Sequence, residues 1–397
     1  MPPADTVIHV PTFRGSSRSL ERIRNNALCA AIALVALGLV MAYSVSAART
    51  ADVRVGYIAL LLQCAYITLG AMALFFFAYL DYHLLDRMRW YIFFGAVIAL
   101  GLVLVPGIGV SINGARRWYR IFGFSMQPSE IGKMALLVIV AAYAARRGRD
   151  IQRFLSGFLP VMVLVGTIAG LVLIEPDFGT AALLGGMGTI VLVVAGARVL
   201  HVFISALPGI AALVYLICQS RTRLNRIFAF VDPWAHYDGA GFQVIQSLTA
   251  LGSGGAMGHG PGASLQKLYF LPEPGSDFIL AIVGEELGLI GALGVLALFA
   301  LFVVEGMRIS GRARDTFGSL LAFGITCMIG LQAAINIAVV TASVPTKGIA
   351  LPFISAGGSS LLFSMAGVGV LLNIARQAEQ SESRDARKPT VTGELVT

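Results

Sequence analysis

The chain has 397 residues, of which 57% are hydrophobic and only 13% are charged, and its mean hydropathy is +0.81. Soluble proteins carry about twice that share of charged residues, so the composition excludes an ordinary soluble enzyme and favours an integral membrane protein. The net charge of +8 suits anionic lipid headgroups or a phosphorylated substrate. Nucleic acid is excluded as a partner, because no basic stripe with interleaved aromatic residues is present.

Ten apolar segments approach the length of about 20 residues that a membrane-spanning helix needs. They lie at residues 26–47, 57–79, 90–109, 130–145, 157–174, 180–197, 200–218, 278–304, 317–340 and 361–375. The sequence therefore predicts an all-α integral membrane protein, a polytopic bundle of ten helices. A polar N-terminal tail at 1–25 precedes the bundle, and a polar tail at 376–397 that is predicted to be disordered follows it.

The distribution of basic residues predicts the orientation of this bundle. With the N-terminus in the cytoplasm, 18 of the 29 Lys and Arg residues fall in cytoplasmic segments, as the positive-inside rule requires. Both termini are then cytoplasmic. Most of the other basic residues lie in three outer segments, 110–129, 219–277 and 341–360, and that concentration calls for a functional reason. The longest of the three, 219–277, contains the run FQVIQSLTALG, which is predicted to form an interfacial helix.

Asp277 lies where the long outer segment enters the eighth predicted span. A carboxylate at that edge is partly desolvated, which raises its proton affinity and suits a general base. The alternative is a helix N-cap, because Ser276 and Asp277 immediately precede the predicted helix.

Two further groups on the outer face are candidates for substrate contact. Arg116 and Arg117, with Trp118 beside them, could hold a pyrophosphate, since arginine offers a bidentate fork. Their alternative role is to anchor the chain at lipid headgroups. Glu130 and Lys133 stand three residues apart on the fourth span, where they either bind substrate or pair with each other.

Four acidic residues flank or enter the spans. Glu175 and Asp177 lie in a tight outer turn, where acids are usually solvated or cap the next helix. Glu285 and Glu286 lie inside the eighth span, where an unpaired carboxylate is costly. At least one of this pair is therefore expected to form an ion pair, and Lys133 is the expected partner.

Seven stretches in chain order together resemble the SEDS family (shape, elongation, division and sporulation proteins). They are NGARRWYR at 113–120, QPSEIGK at 127–133, EPDFGT at 175–180, GSGGAMGHG at 252–260, QKLYFLPE at 266–273, DFILAIVGEELGLIG at 277–291 and PTKGIALPFISAGGSS at 345–360. As a set they are highly specific. The form PTKG and the run YSVSA at 43–47 are more similar to the division member of the family than to the elongation member.

The resemblance implies a fold of ten transmembrane helices and a peptidoglycan glycosyltransferase that uses lipid II. It makes Asp277 the catalytic carboxylate, which would deprotonate the 4-hydroxyl of the acceptor N-acetylglucosamine. That hydroxyl would attack C1 of the donor N-acetylmuramic acid with inversion, and undecaprenyl pyrophosphate would leave. Arg116, Arg117 and Lys347 would then face the charge of the pyrophosphate.

The residues expected to bind substrate are Arg116, Arg117, Trp118, Glu130, Lys133, Lys267, Lys347 and Ser359. Those expected to have a structural or supporting role are Glu175, Asp177, Glu285 and Glu286. Two departures from the family pattern stand out. Gly275 and Ser276 precede Asp277 where family members commonly have His-Thr, and Ala356 stands where they commonly have Tyr.

The resemblance also implies partners and a location. The partners are lipid II, a class B penicillin-binding transpeptidase and other division proteins, at the septum of the bacterial inner membrane. A divalent cation, Mg²⁺ or Mn²⁺, could assist the leaving group, although the sequence shows no dedicated metal ligands. Two alternatives stay open at this point: a lipid II flippase, and a non-catalytic scaffold of the division machinery.

Overall fold

The computed structural model describes residues 17–49, 53–112, 115–121, 123–237, 239–268, 271 and 274–386. These residues form thirteen α-helices and a small sheet. The helices are α1 (Ser17–Arg49), α2 (Val53–Tyr79), α3 (His83–Arg87), α4 (Arg89–Val103), α5 (Pro128–Arg147), α6 (Leu159–Ile174), α7 (Phe178–Val194), α8 (Val199–Cys218), α9 (Arg221–Val231), α10 (Ala240–Ser253), α11 (Ile279–Gly311), α12 (Thr316–Val340) and α13 (Gly358–Ala386).

Eight of these helices are long and apolar enough to cross a membrane, namely α1, α2, α5, α6, α8, α11, α12 and α13. Two shorter apolar helices, α4 and α7, accompany them. Each of the ten predicted segments coincides with one of these helices, which confirms the predicted class of fold.

The first and last helices extend beyond the predicted spans at both ends of the chain. Helix α1 begins at Ser17, inside the predicted N-terminal tail, and α13 continues to Ala386, through half of the tail predicted to be disordered. The extension of α13 is polar, but Glu379 on it forms an ion pair of 2.8 Å with Arg24 of α1. Tertiary contacts of this kind stabilise a polar helix end that composition alone does not predict. Residues 1–16 and 387–397 lie outside the described residues.

Helix α5 lies in the interior of the bundle. Its residues 135–142 are all buried, and it contacts α4, α6, α7, α12 and α13. Helix α8, in contrast, is mostly exposed, and His201 is its one buried residue. Helix α5 begins at Pro128, directly after the last strand of a small sheet, so this interior helix connects the sheet to the core.

Segment 110–129, predicted only as an outer loop, contains a three-stranded antiparallel sheet. Its strands are β1 (Val110–Ile112), β2 (Ala115–Ile121) and β3 (Phe124–Met126), in the order β1-β2-β3. Tyr119 on β2 donates a hydrogen bond of 2.5 Å to the carbonyl of Ala99 on α4. Tyr66 on α2 accepts one of 2.7 Å from the amide of Ser125 on β3. The sheet is thus fixed to the C-terminal part of α4 and to the middle of α2.

Helix α11 is broken at Gly288, whose φ of 69° and ψ of −168° are not helical. A glycine-rich turn packs against this break so closely that a side chain on Gly258 would meet the carbonyl of Glu286 at 2.2 Å. The amides of His259 and Gly260 donate to the carbonyls of Glu285 and Glu286, each at 3.0 Å. The carbonyls of Glu285 and Glu286, which lack helical donors at the break, therefore accept hydrogen bonds from the turn. Inside a membrane such groups need a partner within the protein.

Candidate active site

Asp277 lies two residues before the first residue of α11, on the same side of the bundle as the sheet-bearing end of α5. Asn336 of α12 donates one hydrogen bond of 2.8 Å to the carbonyl of Asp277 and another of 2.8 Å to the carbonyl of Ile349. A Cβ on Gly348 would lie only 2.6 Å from Oδ2 of Asp277. The outer segment 341–357 thus packs its backbone directly on the carboxylate.

A second set of hydrogen bonds holds this segment to the residues before Asp277. Ser355 donates to the carbonyl of Ser276 at 2.5 Å and accepts from the amide of Leu351 at 2.8 Å. The amide of Ala356 donates to the carbonyl of Gly275 at 2.8 Å. Gly275 and Ala356, two of the three positions that depart from the family pattern, therefore lie against each other, and neither has a side chain larger than a methyl group.

Lys347 precedes Gly348, and its side chain extends to the start of α7, beside Asp177. Its side chain crosses Gly179 at the start of α7, where a Cβ would lie 2.3 Å from Cε of Lys347. Its Nζ lies 5.7 Å from the centre of the Phe178 ring. Burial and then the nearby cations Arg226, Arg117 and Arg223 lower the pKa of Lys347 to about 8, although Asp177 opposes the shift. The ammonium group is therefore charged at neutral pH and loses its charge under mildly alkaline conditions.

The long outer segment contributes two of those cations through α9. Arg223 lies over the face of Phe178, with its Cζ 3.9 Å from the ring centre, and donates to the carbonyl of Leu216 at 2.6 Å. Arg226 follows on the same helix and is close enough to Lys347 to lower its pKa. Four basic residues of the three outer segments, Arg117, Arg223, Arg226 and Lys347, therefore converge on one place.

Arg117 of β2 is bound to the turn between α6 and α7. It donates to the carbonyl of Glu175 at 2.8 Å and to that of Pro176 at 2.6 Å, and it lies 3.9 Å from the carboxylate of Asp177. Asp177 caps α7 by accepting from the amide of Thr180 at 3.2 Å. Asp177 thus has the helix-capping role predicted as one possibility for this turn, and its carboxylate also faces the cations around Lys347.

Arg116 and Arg117 do not form the single clamp that their adjacency suggests. Consecutive side chains on a strand point to opposite faces, and both residues lie within β2. Arg116 is exposed, while Arg117 and Trp118 are half-buried. Of the two arginines, only Arg117 reaches the turn that holds Asp177.

Glu175 is fully buried, and neither of its carboxylate oxygens has a hydrogen-bond partner among the described residues. Burial and the neighbouring charge of Asp177 raise its pKa to about 8, with Arg117 opposing the shift. Glu175 therefore carries a proton at neutral pH and contributes no negative charge beside Asp177.

Glu130, Lys133 and Ser359 are all buried. Lys133 donates to Glu130 at 2.8 Å within α5, so the simple pair predicted as one possibility forms. Ser359 at the start of α13 accepts a weak hydrogen bond of 3.4 Å from the amide of Gln127. The side chain of Gln127 lies 3.5 Å from Asp177, and this places the start of α5 beside the cation cluster.

The two acids inside α11 form a buried network with the glycine-rich turn. Glu286 pairs with Lys267 at 2.7 Å and accepts from Ser44 at 2.6 Å. Glu285 accepts from Ser264 at 2.5 Å and from the amide of Leu265 at 2.9 Å. The partner of Glu286 is therefore Lys267, and the expectation that it is Lys133 is wrong. Lys267 is only 2% exposed, so its ammonium group is occupied in holding the turn and does not face a substrate.

Sequence reasoning missed four residues that build the site: Asn336, Ser355, Arg223 and Gly179. Asn336 had a detectable signal, because an amide inside an apolar span is rare and marks a functional or structural contact. Arg223 belonged to the unexplained outer basic residues. Ser355 and Gly179 carried no signal that could be separated from ordinary loop and helix composition. Within the described residues, no three His, Cys, Asp or Glu side chains come together as metal ligands.

The chain matches the family model of the FtsW, RodA and SpoVE proteins, described as cell cycle protein, over residues 24–380. It is 41% identical over 349 residues to the "Probable peptidoglycan glycosyltransferase FtsW" of Geobacter sp. (strain M18), covering 88% of this chain and 95% of that one. It is 40% identical over 345 residues to the stage V sporulation protein E of Bacillus subtilis (strain 168), covering 86% and 94%.

Two solved structures share the fold. A chain from a peptidoglycan synthase complex that coordinates polymerization and crosslinking superposes with a TM-score of 0.72 at 27% identity, covering 89% of this chain and 98% of that one. The rod shape determining protein RodA of Thermus thermophilus superposes with a TM-score of 0.65 at 26% identity, covering 92% and 99%. Both similarities extend over nearly the whole of each relative.

Proposed function

The chain belongs to the FtsW/RodA/SpoVE family of cell cycle proteins, and on that premise we propose that it is a peptidoglycan glycosyltransferase that polymerises lipid II during cell division. The names of its relatives support the activity, since the similarity covers 95% of the Geobacter protein. Identity of 41% to an FtsW protein supports the role in division. The activity requires a base for the acceptor hydroxyl and positive charge for the departing pyrophosphate.

One observation carries the proposal: a carboxylate and a group of cations occupy the same end of the bundle. Gly348 packs against the carboxylate of Asp277, and its neighbour Lys347 lies among Arg117, Arg223 and Arg226. In the proposed reaction, Asp277 takes the proton of the 4-hydroxyl of the acceptor N-acetylglucosamine. The freed oxygen attacks C1 of the donor N-acetylmuramic acid, the bond from C1 to the pyrophosphate oxygen breaks, and the configuration inverts.

The cations act on the leaving group in this scheme. Undecaprenyl pyrophosphate departs with more negative charge than it carries in the bound donor. Lysine and arginine groups already in position stabilise that developing charge without reorganisation. The protonated state of Glu175 matters here, because a second full carboxylate beside Asp177 would repel the pyrophosphate.

A divalent cation would have to take most of its ligands from the pyrophosphate itself. Mg²⁺ binds readily through one or two carboxylates plus substrate phosphates, and the candidate carboxylates are Asp177, beside the cations, and Asp277, against Gly348. The described residues form no dedicated three-ligand cluster, so no step of the proposed reaction is assigned to a metal.

The decisive experiment replaces Asp277 with Asn. Asn is nearly isosteric but cannot accept the proton, and general-base catalysis contributes about 10²- to 10⁴-fold, so polymerisation of labelled lipid II should fall by that factor at unchanged expression. Asp232→Asn, at an exposed cap in the same outer segment, is the matched control and should polymerise normally. Synthesis by Asp277→Asn within a few-fold of the control would refute the catalytic assignment. A flippase or a scaffold would not need a base at this position, so the same comparison separates the enzyme from both alternatives.

The proposal includes an orientation, with Asp277 on the outer face of the bacterial inner membrane and both termini in the cytoplasm. The excess of basic residues on the opposite face supports it. At the septum the partner would be a class B penicillin-binding transpeptidase, a pairing supported by the similarity to a complex that couples polymerization to crosslinking. An impermeant thiol reagent applied to whole spheroplasts should leave Arg149→Cys unlabelled in a background without native cysteines. Labelling of this cysteine from outside would show that the proposed orientation is wrong.

A further inference from the structure

A basic cavity of about 670 Å³ lies at the end of the bundle opposite Asp277. Its walls come from the segment after α2, from the turn between α11 and α12, and from the polar extension of α13. Asp277 precedes the first residue of α11, whereas Arg312 follows its last residue, so the helix separates this cavity from the candidate active site. No step of the proposed glycosyl transfer uses it.

Four arginines line the cavity: Arg312, Arg314, Arg376 and Arg384. Arg376 and Arg384 are eight residues apart on α13 and therefore share one face of the helix. The single carboxylate in the lining is Asp81, and its Oδ1 already accepts from His83 at 2.8 Å and from Gln377 at 2.9 Å. The cavity thus has an excess of positive charge.

The four guanidinium groups have few partners of their own. Across the described part of the chain, none of them lies within 4.0 Å of a carboxylate. Nε of Arg376 is buried and has no hydrogen-bond acceptor there. A buried, unpartnered donor of a charged group is costly, and a bound anion would satisfy it.

The level of the cavity indicates where that anion comes from. Tyr79, at the last residue of α2, is 72% exposed, and Cζ of Arg376 lies over its ring at 4.9 Å. Exposed tyrosines at the ends of apolar helices mark the membrane–water interface, the depth at which phospholipid phosphates lie. Arginine forks match phosphate oxygens in bidentate geometry.

We propose that this cavity binds the phosphate group of an anionic phospholipid from the leaflet at that face. Arg376 would be the deepest contact, because its Nε is the buried donor, and Arg312, Arg314 and Arg384 would surround the headgroup. Basic pockets between the ends of transmembrane helices are suited to such headgroups. A bound lipid would connect the ends of α2, α11 and α13.

The test measures lipid binding by the purified full chain in detergent micelles, with radiolabelled phosphatidylglycerol as the probe and phosphatidylcholine as the neutral comparison. The test variant combines Arg314→Gln with Arg384→Gln, because both side chains are exposed and neither forms an ion pair in the described structure. The matched control combines Arg87→Gln with Arg149→Gln, which are exposed and lie outside the cavity. Each basic residue near an anionic headgroup contributes about 1 kcal/mol, so affinity should fall about 30-fold in the test variant and stay within about two-fold in the control.

Several outcomes would overturn the proposal. Equal losses in the test and control variants would mean diffuse attraction to the basic face, and no loss in the test variant would mean that the cavity is not the site. Displacement of the labelled lipid by inorganic phosphate at millimolar concentration would identify a free-phosphate site instead. Arg384→Gln alone, expected to lose about five-fold, keeps the test valid if the double variant aggregates. Lipid binding is measured without polymerisation, so a negative result would leave the proposed catalytic role of Asp277 unaffected.

Discussion

The contact between Gly348 and Asp277 offers a way to displace the candidate base without removing it. In Gly348→Ala, the new methyl carbon would lie 2.6 Å from Oδ2 of Asp277, whereas ordinary contact begins at 3.4 Å. The carboxylate must therefore move by about 0.8 Å if the backbone holds its place. The backbone does hold a defined place, because Asn336 binds the carbonyls of both Asp277 and Ile349. Gly348 is not in the left-handed region, so alanine adds no backbone strain.

A misplacement of about 1 Å can cost about 10²-fold in rate, so we expect Gly348→Ala to polymerise lipid II about 10- to 100-fold more slowly than the wild type. The assay is glycan synthesis from labelled lipid II by the purified protein with its cognate transpeptidase. Expression and elution from gel filtration are compared in parallel.

The matched control is Gly357→Ala in the same outer segment, where the new methyl group would lie 3.6 Å from Ala350 and from Ser360, at ordinary contact distance. It should keep nearly full activity. If Gly348→Ala and Gly357→Ala polymerise at the same rate, the position of the Asp277 carboxylate does not limit the reaction, and the argument from this contact is wrong.

Two further predictions follow from the shifted pKa values. Because the pKa of Lys347 is lowered to about 8, polymerisation should decline as pH rises through about 8. Lys347→Arg stays charged and should shift that decline to higher pH. A decline at the same pH in both proteins would mean that another group titrates. Because the pKa of Glu175 is raised to about 8, its contribution to stability is full below about pH 4.5 and is lost as pH rises through about 8. Glu175→Gln mimics the protonated form, so its Tm in detergent should match the wild type at about pH 4 and exceed it at pH 9. Equal Tm values at pH 9 would contradict the raised pKa of Glu175.

The sequence by itself determined the class of fold and the place of the helices. In a membrane, each spanning segment must satisfy its own backbone hydrogen bonds and expose apolar side chains, so length and hydropathy are nearly sufficient. The ten predicted segments coincide with helices for this reason. The position of Asp277 at the entrance to α11 follows from the same local pattern, as does the pairing of Glu130 with Lys133 three residues apart on one helix.

Only the tertiary structure decided which distant residues meet. Lys267 pairs with Glu286 because the broken helix at Gly288 and the glycine-rich turn bring their backbones together, and a periodic pattern does not encode that approach. The separation of Arg116 from Arg117 required knowledge that residues 115–121 form a strand. The convergence of Lys347, Arg117 and Arg223 on Phe178 and Asp177 joins segments more than 100 residues apart. Such contacts depend on how the helices pack, whereas membrane insertion depends on each helix alone.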